Sequence, residues 1–406
     1  MIIFILGRQP NIGLAELRAV FDVNAKMLSD NIAASQIDEN LSEQEFIEEI
    51  STKFAQLGSV VKIAQILPNF DYKNEKDWWK ILPSNGKITL GFSSYSAKIS
   101  SGNLAKIGLN LKKNRSKNSG SMRLILPENH EKTLNSATIF HNKLAKNDSE
   151  NKLEINFLEN SGKIFVAKTI FIQDINSYSF RDFSRPRRDA RVGMLPPKLA
   201  QTIINLARGA NLENNSDEIA RKLQGNQTLL DPFCGTGVVL QEAILMNLQT
   251  YGTDLEPRMI DYSRANLDWL NDKFHRKAET KLEIGDATNH VWSSQIDLVA
   301  TETYLGRPYS AEPNEENLRE NITNCNLILT KFLQNLHDQI SPKVGLCIAA
   351  PCWFVRNRVI YLPLIEKINA LGFEQISYLT DKKPLVYRRE GQIVGRELLV
   401  LRKKSE

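Results

Sequence analysis

The sequence predicts an α/β protein whose C-terminal half is a doubly wound, mostly parallel sheet covered by helices on both faces. From Thr228 onward, short apolar strands alternate with helical segments, which is typical of this architecture. The predicted strands are LLD, QTYGTDL, KLEIGDA, IDLVATE and VGLCIAAP. A glycine loop, DPFCGTG, joins the first strand to a helix, VVLQEAILMNL. The last residues, FEQISYLTDKK and PLVYRREGQIVGRELLVLRK, predict an added antiparallel pair at the sheet edge.

Two smaller α+β regions are predicted upstream, over residues 1–75 and 76–175. In the first, IIFILG and GLAELRAVF have the patterns of a strand and an amphipathic helix. In the second, the strand KITLGFSSYS precedes a basic helix, NLAKIGLNLKK, and the further strands SMRLILP, KLEINFLEN and KIFVAKTIFIQD. Residues 176–198 combine prolines, a glycine and arginines, so they are predicted to link these regions to a C-terminal domain at 199–406.

Composition excludes several classes of protein. The chain has 406 residues and a hydrophobic fraction of 42%, enough for two or three globular domains. No run approaches the roughly 18 apolar residues of a membrane span, and MIIFILG lacks the features of a signal peptide. Four cysteines without CxxC spacing and five scattered histidines predict neither a metal site nor a disulfide framework. We therefore expect a cytoplasmic protein that binds no metal and no membrane.

Positive charge is concentrated in two stretches although the net charge is only +5. Six bases and no acid occur between Lys106 and Arg123, and five arginines occur between Arg181 and Arg191. Such clusters indicate contacts with RNA phosphates, while solvated surface or interdomain salt bridges are the alternative. The RNA-binding candidates are Lys112, Lys113, Arg115, Lys117, Arg185, Arg187 and Arg188.

The glycine loop is compatible with three kinds of ligand or with none. Gly235 and Gly237 allow a ligand to approach the main chain closely. A phosphate loop of the G-x-x-x-x-G-K-[ST] type needs a lysine, which is absent, and a dinucleotide fingerprint needs a small residue where Leu240 stands. An acid at the loop entrance, Asp231, instead favours a cationic cofactor such as S-adenosylmethionine.

Acids follow three successive predicted strands, at Asp231, Asp254 and Asp286. Ligands of doubly wound sheets bind beyond the carboxyl ends of the strands. There, the second acid is placed to accept hydrogen bonds from the ribose hydroxyls, and the third from the adenine amine. A single Asp at a strand end usually caps a helix, but three beside a glycine loop favour an S-adenosylmethionine site. Its predicted residues are Asp231, Phe233, Gly235, Gly237, Asp254, Leu255, Asp286 and Ala287.

These motifs resemble those of a known family. DPFCGTG, the acid in YGTDLEP and the GDA turn look like the methyltransferase core of the THUMP-domain tRNA guanosine-N2 methyltransferases that act on guanosine 10. The resemblance extends along the chain through three further stretches: FILGRQPNIGLAELRAVF, the long stretch from VAKTIFIQD to TIINLA, and LVYRREGQIVGREL. The resemblance implies an N-terminal ferredoxin-like domain, a THUMP domain and a Rossmann-like S-adenosylmethionine-dependent methyltransferase domain. It also implies that the substrate is the exocyclic N2 of a tRNA guanosine.

One motif departs from the family pattern. Enzymes that methylate exocyclic amines carry D/N-P-P-Y/F after the fourth strand, because an acceptor and a carbonyl localise charge on a weakly nucleophilic amine while an aromatic ring stacks on the base. Here the chain reads TETYLG, so Glu302 replaces the acid, Thr303 and Tyr304 replace the prolines, and Leu305 replaces the aromatic residue. We predict that Glu302 and Tyr304 are the catalytic residues.

Other chemistries remain open on sequence alone. Pro351–Cys352 resembles the Pro-Cys pair of cytosine-C5 methyltransferases, but it follows the fifth predicted strand instead of the fourth or sixth, so a small half-buried thiol is the preferred interpretation. A DNA amino-methyltransferase shares the core motif, and a non-catalytic RNA-binding scaffold that retains cofactor binding is a further alternative. A requirement for a small activator protein is also left open.

Overall fold

The chain divides into two compact units. The computed structural model describes residues 1–21, 24–36, 43–118, 120–129, 131–145, 150–189, 195–210, 227–342 and 344–404. Unit 1 comprises Met1–Leu14, Asn24–Ala55 and Val60–Ser177, and unit 2 comprises Ala15–Val23, Gln56–Ser59 and Tyr178–Glu406. The main change of unit along the chain, at residues 177 and 178, lies close to the start of the predicted linker.

Unit 1 is built on an eight-stranded sheet with the order β2-β3-β1-β4-β8-β7-β5-β6. Its strands are β1 (Ile2–Leu6), β2 (Lys26–Ser29), β3 (Ile32–Ser35), β4 (Val60–Ile66), β5 (Ile88–Ser94), β6 (Met122–Ile125), β7 (Lys152–Asn160) and β8 (Lys163–Ile172). The helices that begin in the chain before residue 176 are α1 (Pro10–Val20), α2 (Glu43–Phe54), α3 (Glu75–Ile81), α4 (Ser101–Asn118), α5 (Ser136–His141) and α6 (Ile175–Phe183). The β4 and β8 strands pair antiparallel, so one sheet spans both regions that the sequence pattern separates at residue 75.

The two faces of this sheet have different chemistry. One face buries an aromatic cluster in which Trp78, Phe92 and Phe157 pack at ring distances of 5.7 to 6.4 Å. On the other, the Lys62 ammonium lies 2.6 Å from a Glu154 carboxylate oxygen, and both side chains are at most 2% exposed. Removing one partner would leave a buried charge, so this pair fixes how β4 and β7 are placed within the sheet.

Unit 2 contains the predicted doubly wound domain. Its strands are β9 (Thr228–Asp231), β10 (Gln249–Asp254), β11 (Thr280–Ile284), β12 (Leu298–Glu302), β13 (Gly345–Val355), β14 (Arg358–Ile360), β15 (Phe373–Gln375), β16 (Val386–Tyr387) and β17 (Val394–Lys403). Its helices are α7 (Pro197–Ala210), α8 (Val238–Leu245), α9 (Pro257–Phe274) and α10 (Glu315–His337), followed by a 3₁₀ helix at Pro363–Leu371. The α9 helix begins with Pro257 at its first position, where a missing N–H costs no hydrogen bond.

The strand order of unit 2 is β11-β10-β9-β12-β13-β17-β15, with β14 paired to β13 and β16 to β17. Strands β9 to β13 pair in parallel, which confirms the predicted Rossmann-like α/β sheet. The chain order reverses between β9 and β12, and ligands of such sheets bind beside this point. The C-terminal pair is antiparallel and lies at the sheet edge, as predicted: β15 is the outer strand, and β17 pairs with it and, along nine residues, with β13.

Two short N-terminal segments belong to unit 2. The buried carboxylate of Glu16 accepts hydrogen bonds from the main-chain N–H groups of Gly58 and Ser59, at 2.9 and 2.8 Å. It also accepts from the Asn205 side chain in α7 at 2.7 Å. These three bonds satisfy a charge that burial would otherwise make costly, and they explain why segments distant in sequence cluster with the C-terminal domain.

Candidate active site

A single cavity of about 730 Å³ collects most of the predicted site residues. It lies at the carboxyl ends of β9, β10 and β12, beside the reversal of strand order, and its volume suits a small-molecule ligand. Seven of the eight predicted cofactor residues line it, together with both predicted catalytic residues: Asp231, Phe233, Gly235, Asp254, Leu255, Asp286, Ala287, Glu302 and Tyr304.

The two loop glycines have different roles. Gly235 has φ +51°, and a Cβ at this position would meet no atom within 4 Å, so the main chain is open to a ligand there. Gly237 has φ +82° and precedes α8, but a Cβ would approach the Ser263 hydroxyl to 2.9 Å. Since Gly237 does not line the cavity, its role is to let the loop pack against α9, and the sequence prediction of a cofactor contact is not supported.

Asp254 links the second strand end to the glycine loop. One carboxylate oxygen accepts the N–H of Gly235 and the other accepts the N–H of Glu256, both at 2.9 Å. Burial raises the pKa of the Asp254 carboxyl, while these two hydrogen bonds oppose the rise. The residue therefore fixes the loop, and its remaining lone pairs are available to hydroxyl groups in the cavity.

Asp231 is the most enclosed acid of the site, with 2% of its surface exposed. The Thr301 hydroxyl donates to its carboxylate at 2.6 Å, and the Phe233 N–H donates to the same oxygen at 3.3 Å. Burial raises the pKa of the Asp231 carboxyl to about 7, although these hydrogen bonds lower it and the nearby Asp254 raises it further. A cationic ligand group would stabilise the ionised carboxylate.

The third acid and two apolar residues also line the cavity. Asp286 comes two residues after β11, and its side chain accepts the Thr288 N–H at 2.9 Å. Phe233 packs edge-on against Phe332 with ring centres 5.2 Å apart. The Leu255 side chain is 64% exposed although it lines the cavity, so it is available to cover a ligand.

The divergent turn after β12 places an acid and an aromatic ring on the cavity. Glu302 ends β12, and one carboxylate oxygen accepts a hydrogen bond from Nε of Arg396 in β17 at 2.7 Å. Tyr304 lines the cavity and is 45% exposed, so its side chain is accessible to a ligand. Gly306 has φ +81°, and a Cβ would lie 2.1 Å from the Asn321 side chain. Glycine is therefore required at this position if the turn is to pack on α10.

The structure excludes Cys352 as a nucleophile at this site. Its thiol is fully buried and does not line the cavity. Burial also raises the pKa of the Cys352 thiol to about 12, whereas covalent attack requires a thiolate. All four cysteines are buried and free, and a small buried hydrophobic residue is the correct interpretation of Cys352.

Two predicted RNA contacts are wrong because the structure buries them. Arg115 is 1% exposed, and its guanidinium donates to the carbonyl groups of Pro83 and Gly86 at 2.7 and 2.9 Å. Arg185 is 3% exposed, with its guanidinium enclosed beside Asp182. Neither side chain is available to a phosphate from solvent.

Four of the other basic residues predicted to bind RNA are exposed to solvent. Lys112 and Lys113 are exposed on α4. Arg187 and Arg188 are exposed in the segment after α6, each with its guanidinium near an aromatic ring at 5.6 and 5.2 Å. The side chain of Lys117 lies outside the described residues.

Three residues of the site were not predicted from the sequence. Thr301 donates a hydrogen bond to Asp231, Arg396 donates one to Glu302, and Lys331 lines the cavity from α10. Thr301 and Arg396 are each distant in sequence from the acid that they contact, so their roles become visible only from the register of the strands in the sheet. Lys331 follows Leu327 and Ile328 on one helical face, a periodicity that amphipathic analysis of α10 would have found.

Two features are not found in the part of the chain that the structure describes. No described helix is both long and apolar enough to cross a membrane. Nor do the described residues include a group of three or more His, Cys, Asp or Glu side chains that would hold a metal ion.

The comparisons with known proteins agree with this geometry. A methyltransferase domain family matches residues 223–382. The tRNA (guanine(10)-N2)-dimethyltransferase of Methanothermobacter thermautotrophicus is 27% identical over 161 residues, which cover 39% of each chain. A probable tRNA (guanine(10)-N2)-dimethyltransferase of Methanothermococcus thermolithotrophicus is 30% identical over 128 residues, or 31% of this chain and 70% of that relative. The crystal structure of a possible methylase from Clostridium difficile 630 has a TM-score of 0.50 at 12% identity, covers 100% of this chain and 98% of that one, and shows a shared fold.

The Rossmann-like sheet, the glycine loop and the acids at the strand ends define an S-adenosylmethionine-dependent methyltransferase domain. The chain belongs to the family of tRNA (guanine(10)-N2)-dimethyltransferases. This chain spans only 39% of the length of the Methanothermobacter thermautotrophicus relative and 25% of the length of the tRNA (guanine(10)-N2)-dimethyltransferase of Pyrococcus abyssi.

Proposed function

We propose that the protein methylates the exocyclic N2 of a guanosine in tRNA, using S-adenosylmethionine. The observation that carries the proposal is the cavity that joins three strand-end acids to an acid and an exposed aromatic ring. The curated relatives named above support tRNA as the substrate. The family resemblance further supports residues 1–75 as a ferredoxin-like domain and 76–175 as a THUMP domain, with the cytoplasm as the compartment where the enzyme meets tRNA.

The cavity residues fit the cofactor. A main chain open at Gly235 accepts a close ligand, and Asp254 offers acceptors to ribose hydroxyls. Asp231 is a buried carboxylate that a ligand ammonium would stabilise, while Asp286 offers an acceptor to an adenine amine. When bound, S-adenosylmethionine supplies an activated methyl group.

The residues around the TETYLG turn would orient the base. Tyr304 provides an exposed ring on which a base stacks, a contact worth about 1–3 kcal/mol. One Glu302 oxygen is held by Arg396, and the other has no hydrogen-bond partner among the described residues. That second oxygen is placed to accept a hydrogen from the amine and to stabilise positive charge as it develops on the nitrogen.

The enzyme and scaffold hypotheses are separated by two measurements on the purified full chain. Calorimetry measures binding of S-adenosylmethionine, and a methyl-transfer assay measures incorporation into bulk tRNA and into duplex DNA. We expect binding together with transfer to tRNA alone. Binding without transfer would support the non-catalytic scaffold, and transfer to DNA would support the DNA amino-methyltransferase.

Cofactor affinity should depend on pH through Asp231. Its carboxyl has a pKa of about 7 in the free protein, and only the ionised form attracts a ligand ammonium. Affinity is therefore nearly complete at pH 8, is halved at pH 7 and falls further as the group protonates, so the Kd should rise about tenfold between pH 8 and pH 6. Calorimetry at the two pH values measures this change.

A matched pair of variants identifies the responsible group. Burial also raises the pKa of Glu397 to about 7, but Glu397 does not line the cavity. Glu397→Gln should preserve the pH dependence, whereas Asp231→Asn should bind weakly and without it. If Asp231→Asn retains the full pH dependence, the group that binds the ammonium lies elsewhere.

Lys112 and Lys113 should carry part of the binding to tRNA. Changing both to Gln should weaken tRNA binding and reduce the slope of log K against log salt by about 0.7 to 0.9 for each phosphate that is no longer bound. Filter binding over a salt series measures the slope. As a control, changing the exposed Lys143 and Lys163 to Gln removes the same number of positive charges at other positions. Equal slopes for the two double variants would show that α4 does not contact RNA.

A further inference from the structure

We propose that Arg396 is the positioning residue that directs Glu302 toward the substrate, and that it replaces the rigidity normally supplied by two prolines. This inference rests on the proposed function. It concerns how a turn that reads TETYLG instead of D/N-P-P-Y/F can still present an acid with a fixed orientation. The Nε of Arg396 and a Glu302 carboxylate oxygen are 2.7 Å apart.

The sheet register shows why these two side chains meet. Glu302 lies opposite Ala349 of β13, and Arg396 lies opposite Pro351 of the same strand. Residues that lie opposite each other, and residues two apart along a strand, point to the same face of a sheet. Glu302 and Arg396 therefore project from one face of the sheet, on either side of β13, and the small side chains of Ala349 and Pro351 leave room between them.

The length of both side chains is part of the arrangement. Glu302 and Arg396 belong to strands separated by β13, so their backbones are about 10 Å apart. An aspartate at 302 would be shorter by one bond of about 1.5 Å, which would bring its oxygens out of hydrogen-bond range of Arg396. A glutamate in place of the family's shorter acid is thus matched to the arginine of β17.

Burial of the Arg396–Glu302 ion pair restricts the orientation of the Glu302 side chain. The side chains of Arg396 and Glu302 are 9% and 15% exposed. Charges removed from water are costly unless they are paired, so alternative rotamers of Glu302 that break the contact are disfavoured. Because only Glu302 lines the cavity, Arg396 acts through Glu302, whose second oxygen remains available to the substrate amine.

The test compares Arg396→Met with a matched variant on the same strand. Arg402 of β17 forms an ion pair of the same geometry but greater exposure, with its Nε 2.7 Å from an oxygen of Glu374, and neither residue lines the cavity. Both variants are measured for methyl transfer to tRNA, for S-adenosylmethionine affinity and for thermal unfolding. We expect Arg396→Met to lower kcat about tenfold to a hundredfold with cofactor Kd and tRNA KM within about twofold of wild type. Arg402→Met should retain wild-type kcat.

Two additional variants exclude a merely structural effect. Arg396→Lys keeps the charge with poorer geometry and should recover part of the lost kcat. Arg396→Met combined with Glu302→Gln removes both buried charges, so it should remain folded and be no slower than Glu302→Gln alone. If the double variant is markedly slower than Glu302→Gln, Arg396 acts independently of Glu302 and the proposal is wrong.

The remaining outcomes are distinguishable. An active wild type with equal kcat for Arg396→Met and Arg402→Met overturns the positioning role and leaves the proposed function intact. A wild type that binds the cofactor but transfers no methyl group to any tRNA overturns the proposed function, and the positioning role with it.

Discussion

Replacing Glu302 with Gln should lower kcat by about a hundredfold or more. The amide keeps the shape of the side chain and an oxygen that can accept from Arg396, but it loses the negative charge. That charge matters most in the transition state, when positive charge grows on the amine, and losing one preorganised electrostatic partner typically has an effect of this size. The affinities for cofactor and tRNA should change little, because the interaction strengthens mainly during transfer.

Steady-state kinetics on tRNA, with calorimetry for the cofactor, measures both parts of this expectation. Glu374→Gln is the matched control, since Glu374 pairs with Arg402 through the same atoms at the same 2.7 Å distance but does not line the cavity. The control should retain wild-type kcat. An active enzyme that is indifferent to Glu302→Gln would assign the acid role to another residue.

Asp254→Ala has the second largest expected effect and should weaken S-adenosylmethionine binding about tenfold to a hundredfold. The substitution removes the acceptor for ribose hydroxyls, and each such hydrogen bond contributes about 1 kcal/mol, or more to a charged acceptor. It also removes the acceptor of the Gly235 N–H, so the glycine loop loses one of its anchors. The fold should remain intact, because the sheet and helix around Asp254 do not depend on this side chain.

Calorimetry on Asp254→Ala and on Asp261→Ala provides the comparison. Asp261 lies in the following helix, α9, with its side chain 74% exposed and its carboxylate near Arg264. Its removal should leave cofactor affinity unchanged. Wild-type affinity in Asp254→Ala would mean that Asp254 only caps the turn and does not contact the cofactor.

The part of the site that the sequence predicts is the part determined by local pattern. Asp231, Asp254 and Glu302 each end a buried strand. Because the carboxyl ends of parallel strands meet at one edge of a sheet, the local pattern is enough to bring these acids together. The glycine loop is equally local, since it needs only a strand, a turn and a helix in succession.

Residues whose role depends on packing could not be identified in the same way. Arg115 belongs to a basic run, but it follows Leu111 by four positions, and this helical spacing turns both side chains toward the interior. Net charge along a sequence does not show which face a base occupies. Arg181 in α6 and Arg185 just beyond it are also buried, although both belong to a basic cluster.

The register between strands that are distant in sequence also could not be predicted. Arg396 and Glu302 are 94 positions apart, and they meet only because β17 enters the sheet next to β13. The sequence pattern predicts the antiparallel pair at the sheet edge, where the structure has it, but the pattern gives no register between β17 and β13 and so does not place Arg396 beside Glu302. The assignment of Ala15–Val23 and Gln56–Ser59 to unit 2 likewise depends on contacts with distant residues such as Asn205.

Nucleoside mass spectrometry of tRNA from cells with and without this gene tests the central claim most directly. The proposed function predicts that an N2-methylated guanosine is present in wild-type tRNA and absent from the deletion strain. It should return when the wild-type gene is restored, but not with the Glu302→Gln variant. Identical modified nucleosides in the two strains, or loss of a modification on a base other than guanine, would contradict the claim.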